Sequence, residues 1–474
     1  MYIRRLHVQR MKRLRDFSLD FLHEGEPRMW TVLIGENGTA KTTLLQAIAL
    51  AAAGSMQMNT LAGPIVAHLH DRRARADLKI SARFEFADRA TEAHPLLGKV
   101  KKVPAYLGLD SEVGLPMSST TLNGRSRYVD LAADRLVKSS GASHPDPLDH
   151  AREYHTPHWF IAGYGIARAL PDAPDPVPLV RPSIERLQPL FDSRTRLTST
   201  AFASYFVKRD VLEESRPQST KSRWFSHLLA EAIHLGGEEL LPDIQKFEPR
   251  YSAGTGAPIA LIESDRFHQR MGRSVLQVAG SALSHGYQST FAWISDLIGH
   301  MLLESTRKLR TVDMQGIVLL DEIDLYLHPA WQATFIAALR RVFPKIQFVA
   351  TTHSPVILAG LAPHEIVRLH VDPESGDVVR AGWDPRTGQL AAMNGHRWPQ
   401  PDPRPMTGSE IYNTWFGVDR LTPNPCGEAL RRYLVLAEDP YRTAKEQAEA
   451  LRLRDQLIKH GVRDFQDPVP RRRR

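Results

Sequence analysis

The sequence predicts an α/β fold, in which a sheet of buried strands is flanked by helices. A strand-like apolar run over residues 30–34 leads into a glycine-bearing loop and an apolar helical segment over 44–53, which Gly54 is expected to close as a C-cap. A second apolar run, 317–320, ends in two carboxylates. A helical pattern over 329–342 then connects it to a third apolar run at 346–350. Strands that alternate with helices in this way are typical of α/β proteins.

The loop after the first strand has the composition of a phosphate-binding loop. It consists of Gly35, Glu36, Asn37, Gly38, Thr39, Ala40, Lys41, Thr42 and Thr43. In such a loop, backbone N–H groups and the following helix N-terminus bind phosphate oxygens. Lys41 would reach the β- and γ-phosphates of ATP, and the Thr42 hydroxyl would bind Mg²⁺. The alternative interpretation is a structural turn.

Ala40 departs from the usual loop, which has glycine at this position. Its methyl group is harmless if the backbone φ angle is negative. A left-handed backbone at this position would cost on the order of 1–2 kcal/mol. The departure weakens the match to a phosphate-binding loop without cancelling it.

Polar residues follow the second and third strands. Asp321 would hold the Mg²⁺ shell, and Glu322 would act on a water molecule as a general base. The alternative for this pair is a core strand that ends in an exposed acidic turn. His353 follows the third strand, at the edge where open α/β sheets bind ligands, so it is a candidate contact for the γ-phosphate.

Residues 282–290 contain a further candidate anion site before an apolar helix predicted to start near Phe291. Ser284 supplies a small hydroxyl side chain and Gly286 a bare backbone, which lets a phosphate approach a helix N-terminus closely. In isolation, a helix N-cap is the simpler interpretation. Together with the other motifs, these residues indicate the signature loop of an ABC-type ATPase.

Composition narrows the classes of function. The chain has 474 residues and one cysteine, Cys426, which excludes a disulfide framework and a cysteine-based zinc site. It contains no apolar stretch of about 18 residues, and its basic N-terminus lacks an apolar secretory core. We therefore expect a cytoplasmic protein without a membrane association. The net charge of +8 makes DNA a possible partner, although arginine clusters such as those at 72–75 and 471–474 are more often solvated surface or tail than a binding stripe.

Four regions are predicted along the chain. Residues 1–95 form an N-terminal ATPase lobe, and 96–258 a middle insertion that is mainly helical after residue 183. From about 95 to 157 the sequence gives a poor signal for helices or strands. Residues 259–383 complete the ATPase lobe, and 384–474 form a helical tail. The sequence has no sustained heptads, which excludes a long coiled-coil arm. The tail carries an apolar stripe that either docks a protein or packs on the ATPase lobe: Ala444, Ala448, Leu451 and Ile458.

The motifs resemble those of the ABC-type ATPases of the SMC and RecF class. They resemble more closely a compact bacterial family, which includes the ATPases of Septu-like and PARIS-like antiphage defence systems. The resemblance rests on the phosphate loop with residues 283–289, 321–332 and 351–355, and a weaker match lies at 163–168. His285 stands where the family usually has glycine or aspartate. A Q-loop glutamine is not identifiable, and Arg168 occupies its place in chain order.

The resemblance implies a P-loop NTPase head that forms a homodimer, or a higher homo-oligomer, around two ATP molecules with Mg²⁺. One subunit would supply the phosphate loop, Asp321, Glu322 and His353, and the other Ser284 and Gly286. It also implies ATP hydrolysis in which Glu322, His353 and Lys41 are the catalytic residues. ATP binding would hold the subunits together, and hydrolysis would release them.

Two functions remain open from the resemblance. The first is a regulatory ATPase that controls a separately encoded effector, a nuclease or toxin, in antiphage defence. The alternative is a RecF-like or SMC-like ATPase of DNA repair or recombination that acts on DNA directly. A transporter ATPase is disfavoured, because Lys41 and Asp321 lie 280 residues apart (321 minus 41).

Overall fold

The computed structural model describes residues 1–86, 106–137, 146–153, 159–171, 179–206, 221–248, 266–305, 309–384, 389–393, 398, 400–417, 425–462 and 467–470. The chain forms two compact units, Met1–Ile411 and Tyr412–Arg474. The predicted region boundaries at 95/96 and 258/259, and the arginines 471–474, lie outside the described residues.

The strands of the first unit are β1 (Tyr2–Met11), β2 (Leu14–Asp20), β3 (Leu22–His23), β4 (Glu26–Pro27), β5 (Trp30–Ile34), β6 (Leu78–Glu85), β7 (Leu107–Leu115), β8 (Asn123–Asp130), β9 (Arg135–Leu136), β10 (Ile161–Tyr164), β11 (Ile244–Glu248), β12 (Arg266–Met271), β13 (Ser274–Val278), β14 (Gly316–Leu320), β15 (Ile346–Thr351), β16 (Ile366–Val371), β17 (Val378–Asp384) and β18 (Gln389–Ala392).

The helices are α1 (Lys41–Ala51), α2 (Met58–Ala62), α3 (Pro147–Glu153), α4 (Pro182–Glu185), α5 (Lys221–Leu240), α6 (His285–Glu304), α7 (Pro329–Val342), α8 (Pro355–Leu358), α9 (Gly408–Phe416), α10 (Pro425–Glu438) and α11 (Ala444–Lys459). The last two belong to the second unit.

A seven-stranded mixed sheet forms the centre of the first unit. Its order is β10-β14-β15-β5-β16-β17-β18, and the five strands from β10 to β16 are parallel. β5, β14 and β15 are buried at every residue, as expected for apolar strands covered on both faces. The carboxyl ends of these strands therefore meet at one edge of the sheet. The predicted mixed sheet with flanking helices is confirmed.

A second, antiparallel sheet packs on the other side of α1. Its order is β2-β1-β6-β7-β8-β9. Ten of the eleven residues of α1 are buried, because the helix contacts strands of both sheets. Gln347 joins the sheets in the core: its amide oxygen accepts from the N–H of Ile3 at 2.7 Å, and its amide nitrogen donates to the carbonyl oxygens of Ile3 and Arg28. The helix that follows the phosphate loop is thus held between two layers.

Four elements differ from the sequence-based expectations. α1 ends at Ala51 with Ala52 as its C-cap, whereas Gly54 was expected to close the helix. Gly54 instead has a φ of +77° in the next turn, where the Asp149 carboxylate accepts the N–H of Met56. α6 begins at His285 rather than near Phe291. β7 and β8 fall in a stretch whose sequence signal was poor.

The second unit contains two packed helices, α10 and α11. Its small core includes Tyr433, Leu436, Ala450 and Leu457. The predicted stripe on α11 does not belong to this core: Leu451 is 45% exposed and Ile458 is 53% exposed, and Ala444 and Ala448 are also exposed. The apolar positions that pack lie one residue before Leu451 and Ile458. The face of α11 that packs within this unit therefore carries Ala450 and Leu457, and the predicted stripe is exposed in this unit.

The described residues include no helix that is both long enough and apolar enough to cross a membrane.

Candidate nucleotide site

The phosphate loop lies between β5 and α1, at the carboxyl edge of the central sheet. Gly35 has a φ of 151°, and a Cβ at this position would lie 2.5 Å from the carbonyl oxygen of Leu369. Gly38 has a φ of 81°. Both positions therefore require glycine. The Thr39 hydroxyl donates to the carbonyl oxygen of Glu36 at 2.7 Å, which closes the loop on itself.

Lys41 lies across this loop. Its Nζ donates to the carbonyl oxygens of Gly35 at 2.8 Å and of Glu36 at 3.0 Å. Burial lowers the pKa of Lys41, and the nearby carboxylates of Asp321 and Glu322 oppose that shift. Among the described residues, the hydrogen-bond partners of its ammonium group are these two carbonyl oxygens, which leaves the positive charge available to an anion.

Ala40 adopts the left-handed conformation. It is the N-cap of α1, with φ 60° and ψ 24°, and its side chain makes no capping hydrogen bond. A left-handed backbone is the case in which the methyl group of Ala40 costs on the order of 1–2 kcal/mol of folding free energy. The loop keeps its shape despite the departure from glycine.

The phosphate loop and the acidic pair meet in space. The Thr42 hydroxyl donates to Oδ2 of Asp321 at 2.8 Å, and the Thr351 hydroxyl donates to Oδ1 of the same carboxylate at 2.6 Å. Hydroxyl and carboxylate oxygens are ligands that Mg²⁺ prefers. Thr42 and Asp321, which are 279 residues apart in sequence, therefore fit a Mg²⁺ ion.

Glu322 has a left-handed backbone, with a φ of 48°. Its N–H donates to the Thr351 hydroxyl at 2.7 Å, and its carbonyl oxygen accepts from Nη2 of Arg168 at 2.6 Å. A non-glycine residue in this conformation carries strain of roughly 1–3 kcal/mol and is common at functional sites. The structure thus holds the backbone of the predicted general base from both sides.

The loop after β15 is tied to the segment after β14. Thr352 donates to the Asp324 carboxylate, and Ser354 donates to the side-chain oxygen of Gln332. His353 projects from this loop and is exposed. Burial lowers its pKa first and the positive charge of Lys41 second, while the nearby carboxylates raise it. His353 therefore lies in the electrostatic field of the phosphate loop.

The signature residues lie at the N-terminus of α6. Ser284 is its N-cap, is exposed, and makes no capping hydrogen bond through its side chain. Gly286 is buried, and a Cβ there would lie 2.5 Å from the carbonyl oxygen of Tyr326. The Tyr287 hydroxyl donates to the Pro242 carbonyl at 2.8 Å. Within the described part of the chain, no hydrogen bond joins Ser284 or Gly286 to the phosphate loop.

The sequence analysis gave no role to Thr351, Thr352 or Gln332, although all three stand in the quoted motifs. Their hydrogen bonds position the acidic segment. A hydroxyl at the carboxyl end of a strand, beside a second strand that ends in carboxylates, is the signal that identifies Thr351. Arg13 is a further neighbour: its Nη1 lies 3.5 Å from the position a Cβ on Gly38 would take.

Comparison with known proteins agrees with the motifs. Residues 258–359 match a family described as "AAA domain, putative AbiEii toxin, Type IV TA system". The Septu protein PtuA of Bacillus mycoides (strain KBAB4) is 23% identical over 460 residues, which cover 97% of this chain and 51% of that protein. PtuA of Bacillus thuringiensis is 33% identical over 121 residues, covering 25% of this chain and 31% of that protein.

A retron Ec83 probable ATPase of Escherichia coli is 44% identical over 84 residues, covering 18% of this chain and 15% of that protein. The chain thus spans about half the length, or less, of these curated relatives. Among solved structures, an SmcHead bound to the C-winged helix domain of ScpA aligns with a TM-score of 0.47 and 14% identity, covering 84% of this chain and 100% of that chain. The sequence comparisons confirm the resemblance that the motifs predicted, to the ATPases of antiphage defence systems.

Proposed function

We propose that this chain is a Mg²⁺-dependent ATPase that acts as a homodimer in antiphage defence and controls a separately encoded effector. The observation that carries the enzymatic part is the hydrogen bond between Thr42 and Asp321. It brings the phosphate loop and the acidic pair to one edge of the sheet, as hydrolysis of a nucleoside triphosphate requires.

The chain's own residues have distinct tasks in this reaction. Lys41 would bind the β- and γ-phosphates with the ammonium group that now contacts two loop carbonyls. Thr42 and Asp321 would hold Mg²⁺, which neutralises phosphate charge when it is bound. Glu322 would accept the proton of the attacking water, and His353 would contact the γ-phosphate side of the site.

The exposed Ser284 at the signature loop supports the dimer. Ser284 presents its hydroxyl at a helix N-terminus, where backbone N–H groups and the helix dipole favour an anion. Within the chain, the described contacts of Gly286 fix this helix end against Tyr326 rather than against the phosphate loop. The signature loop of one copy would therefore complete the phosphate site of another.

The defence role is supported by the PtuA and retron ATPase relatives, which align with this chain. The effector, a nuclease or toxin, would respond to opening and closing of the ATP-bound dimer. The net charge of +8 favours one alternative, a DNA repair ATPase that acts on DNA directly.

Hydrolysis by the purified chain tests the enzymatic part. Lys41→Ala should lose ATP binding or hydrolysis, since Lys41 is the one cation within the loop. Glu322→Gln should keep ATP while turnover falls at least about 100-fold, because an amide cannot accept the proton. Lys345→Ala is the matched control, because Lys345 is an exposed lysine that pairs with Asp313. Wild-type turnover in Lys41→Ala would show that the loop assignment is wrong.

A phage challenge tests the defence part. Cells would carry the chain alone, the neighbouring gene alone, or both, each with wild-type or Glu322→Gln protein. Protection that needs both genes and Glu322 would support the proposal. Protection or DNA cleavage by this chain alone would refute it, and DNA-stimulated hydrolysis without a partner would favour the repair alternative.

A further inference from the structure

Arg168 is a buried arginine next to the predicted general base. It is 4% exposed, and its Nη2 donates to the carbonyl oxygen of Glu322 at 2.6 Å. Its Nε is buried without a hydrogen-bond partner among the described residues. Burial lowers the pKa of Arg168 to about 10, so the guanidinium stays charged at neutral pH. A charged group is rarely buried this deeply without a specific partner.

The partner is a strained backbone. Glu322 has a φ of 48°, and three hydrogen bonds hold its peptide groups. Its N–H donates to the Thr351 hydroxyl, and its carbonyl oxygen accepts from Nη2 of Arg168 at 2.6 Å and from the N–H of Leu325 at 3.1 Å. Such a conformation persists where the surrounding structure determines it. Among the residues that the structure describes, the Glu322 carboxylate makes no hydrogen bond, so its direction depends on this backbone.

Thr351 links the same backbone to the metal-binding carboxylate. Its hydroxyl accepts from the N–H of Glu322 and donates to Oδ1 of Asp321 at 2.6 Å. A single hydroxyl can do both because it has one donor and two acceptor sites. Asp321 and Glu322 are therefore fixed relative to one another by Thr351, and Arg168 fixes the other side of Glu322.

The loop that carries Arg168 is itself fixed by close packing. A Cβ on Gly165 would lie 2.3 Å from the carbonyl oxygen of Pro189, so the two backbones touch at that point. The N–H of Gly163 donates to the Arg186 carbonyl at 2.9 Å. Gln46 of α1 donates to the Leu190 carbonyl at 3.1 Å, which ties the same region to the helix of the phosphate loop.

We propose that Arg168 is a positioning residue for hydrolysis, which holds the Glu322 carbonyl so that the Glu322 carboxylate faces the attacking water. This inference rests on the proposed ATPase function. It differs from the role of a Q-loop glutamine, because a guanidinium has only donors and cannot bind a metal ion. Arg168 thus acts on the reaction through Glu322.

The test is a double-mutant cycle on the full chain. Wild type, Arg168→Gln, Glu322→Gln and the double variant are compared for equilibrium ATP binding with Mg²⁺ and for single-turnover hydrolysis. Arg168→Gln should bind ATP within about threefold of wild type and lose hydrolysis on the order of 100-fold, because small misplacement of a catalytic group has such an effect. The double variant should be within about threefold of Glu322→Gln, since residues that act as a unit are non-additive.

Other outcomes overturn the proposal. A loss of ATP binding in Arg168→Gln would make Arg168 a nucleotide ligand, and losses that multiply in the double variant would show an action independent of Glu322. Wild-type hydrolysis in Arg168→Gln would exclude any role. If the wild type hydrolyses ATP and Glu322→Gln does not, each of these outcomes contradicts the role of Arg168 alone, and the proposed ATPase function still stands. Absence of turnover in the wild type would overturn both.

Matched variants separate positioning from folding. Arg28 is the control, because it is 7% exposed, has its pKa lowered to about 10 by burial, and donates to the carbonyls of Asp20 and His364 near the opposite end of β5. Arg28→Gln should leave single-turnover hydrolysis unchanged. Arg168→Lys should recover part of the lost rate, because an ammonium group can donate to the same carbonyl. If Arg168→Gln does not fold, Thr351→Val tests the clamp, by which we mean the hydrogen bonds of Thr351 and Arg168 to the Glu322 backbone. Thr351→Val should reduce the rate of hydrolysis more than the affinity for ATP. Equal losses would contradict the clamp.

Discussion

The proposed nucleotide site has two halves, the phosphate-loop half and the signature half. They differ in how many of their polar side chains already have a hydrogen-bond partner within one chain. In the phosphate-loop half, Lys41, Thr42, Asp321 and Glu322 already have hydrogen-bond partners from their own chain. In the signature half, Ser284 is exposed and its side chain makes no capping hydrogen bond. One half is thus prearranged, and the other presents a helix end outward.

The two halves should therefore bind an anion in different ways. The first half is preorganised, so its groups need little rearrangement when an anion binds. By the described contacts, the phosphate loop of the same chain does not reach the signature half. An anion that binds the signature half would therefore be held by the phosphate loop of another copy. The proposed composite site, made by two copies of the chain, would account for both properties, and changes in either half should then have separable consequences.

Mixing two inactive variants should give the largest effect. Lys41→Ala damages only the first half, and Ser284→Arg only the second, because arginine would block the helix end from a phosphate. Each variant alone should show no hydrolysis above background. A mixed dimer contains one site with both halves intact, so activity should return on mixing. The measurement is steady-state hydrolysis after subunit exchange.

The control for this experiment is exchange itself, followed with two fluorescent labels. Mixtures of either variant with itself should stay inactive. Demonstrated exchange without recovered activity would contradict the composite site and return Ser284 to the role of a simple N-cap.

Gly286→Ala should have a smaller effect, confined to the signature half. The added Cβ would lie 2.5 Å from the Tyr326 carbonyl oxygen, so the helix end has to shift. We expect a destabilisation of about 1–3 kcal/mol and hydrolysis reduced roughly tenfold, with ATP binding retained. Gly360→Ala is the control, because its Cβ would have its nearest contact at 3.5 Å. Equal effects in the two variants would show that Gly286 is not specifically constrained.

Much of the first half could be predicted from the sequence. The phosphate loop, the strand before the acidic pair, and the helix Pro329–Val342 follow from strong local patterns. Hydrogen bonds then bring together residues whose chemistry had already linked them, as for Thr42 and Asp321. The sequence therefore predicted residues that contact each other across 279 positions.

Other features of the site and of the fold depend on tertiary contacts, which the periodicity of the sequence does not encode. The left-handed backbone of Glu322, and its clamp by Thr351 and Arg168, are tertiary features with no local pattern. In α11, Leu451 was predicted on the apolar face, but Ala450 and Leu457 are the buried residues. Ala450 and Leu457 are seven residues apart, as Leu451 and Ile458 are, so the spacing of apolar residues does not by itself identify which of the two adjacent faces packs.

In the phosphate-loop half, Ala40→Gly should modestly increase the stability of the folded protein. Glycine adopts the left-handed conformation of φ 60° without the penalty of a Cβ, and it is also the better N-cap. We expect the free energy of unfolding to rise by about 1 kcal/mol. Ala359→Gly is the control, because Ala359 has a right-handed φ of −59° and glycine should not stabilise it. A gain at both positions, or at neither, would contradict the strain at Ala40.

The smallest expected effect concerns the electrostatic coupling within the phosphate-loop half. Burial lowers the pKa of His353, and the positive charge of Lys41 lowers it further. Lys41→Ala should therefore raise the pKa of His353, because the neutral variant no longer opposes protonation of the imidazole. The measurement is an NMR titration of the His353 ring protons in the nucleotide-free protein, assigned with His353→Gln. Lys345→Ala, which removes an exposed lysine paired with Asp313, should leave the midpoint unchanged. An unchanged or lower midpoint in Lys41→Ala would show that His353 lies outside the field of the loop lysine, and a role beside the γ-phosphate would then lose its support.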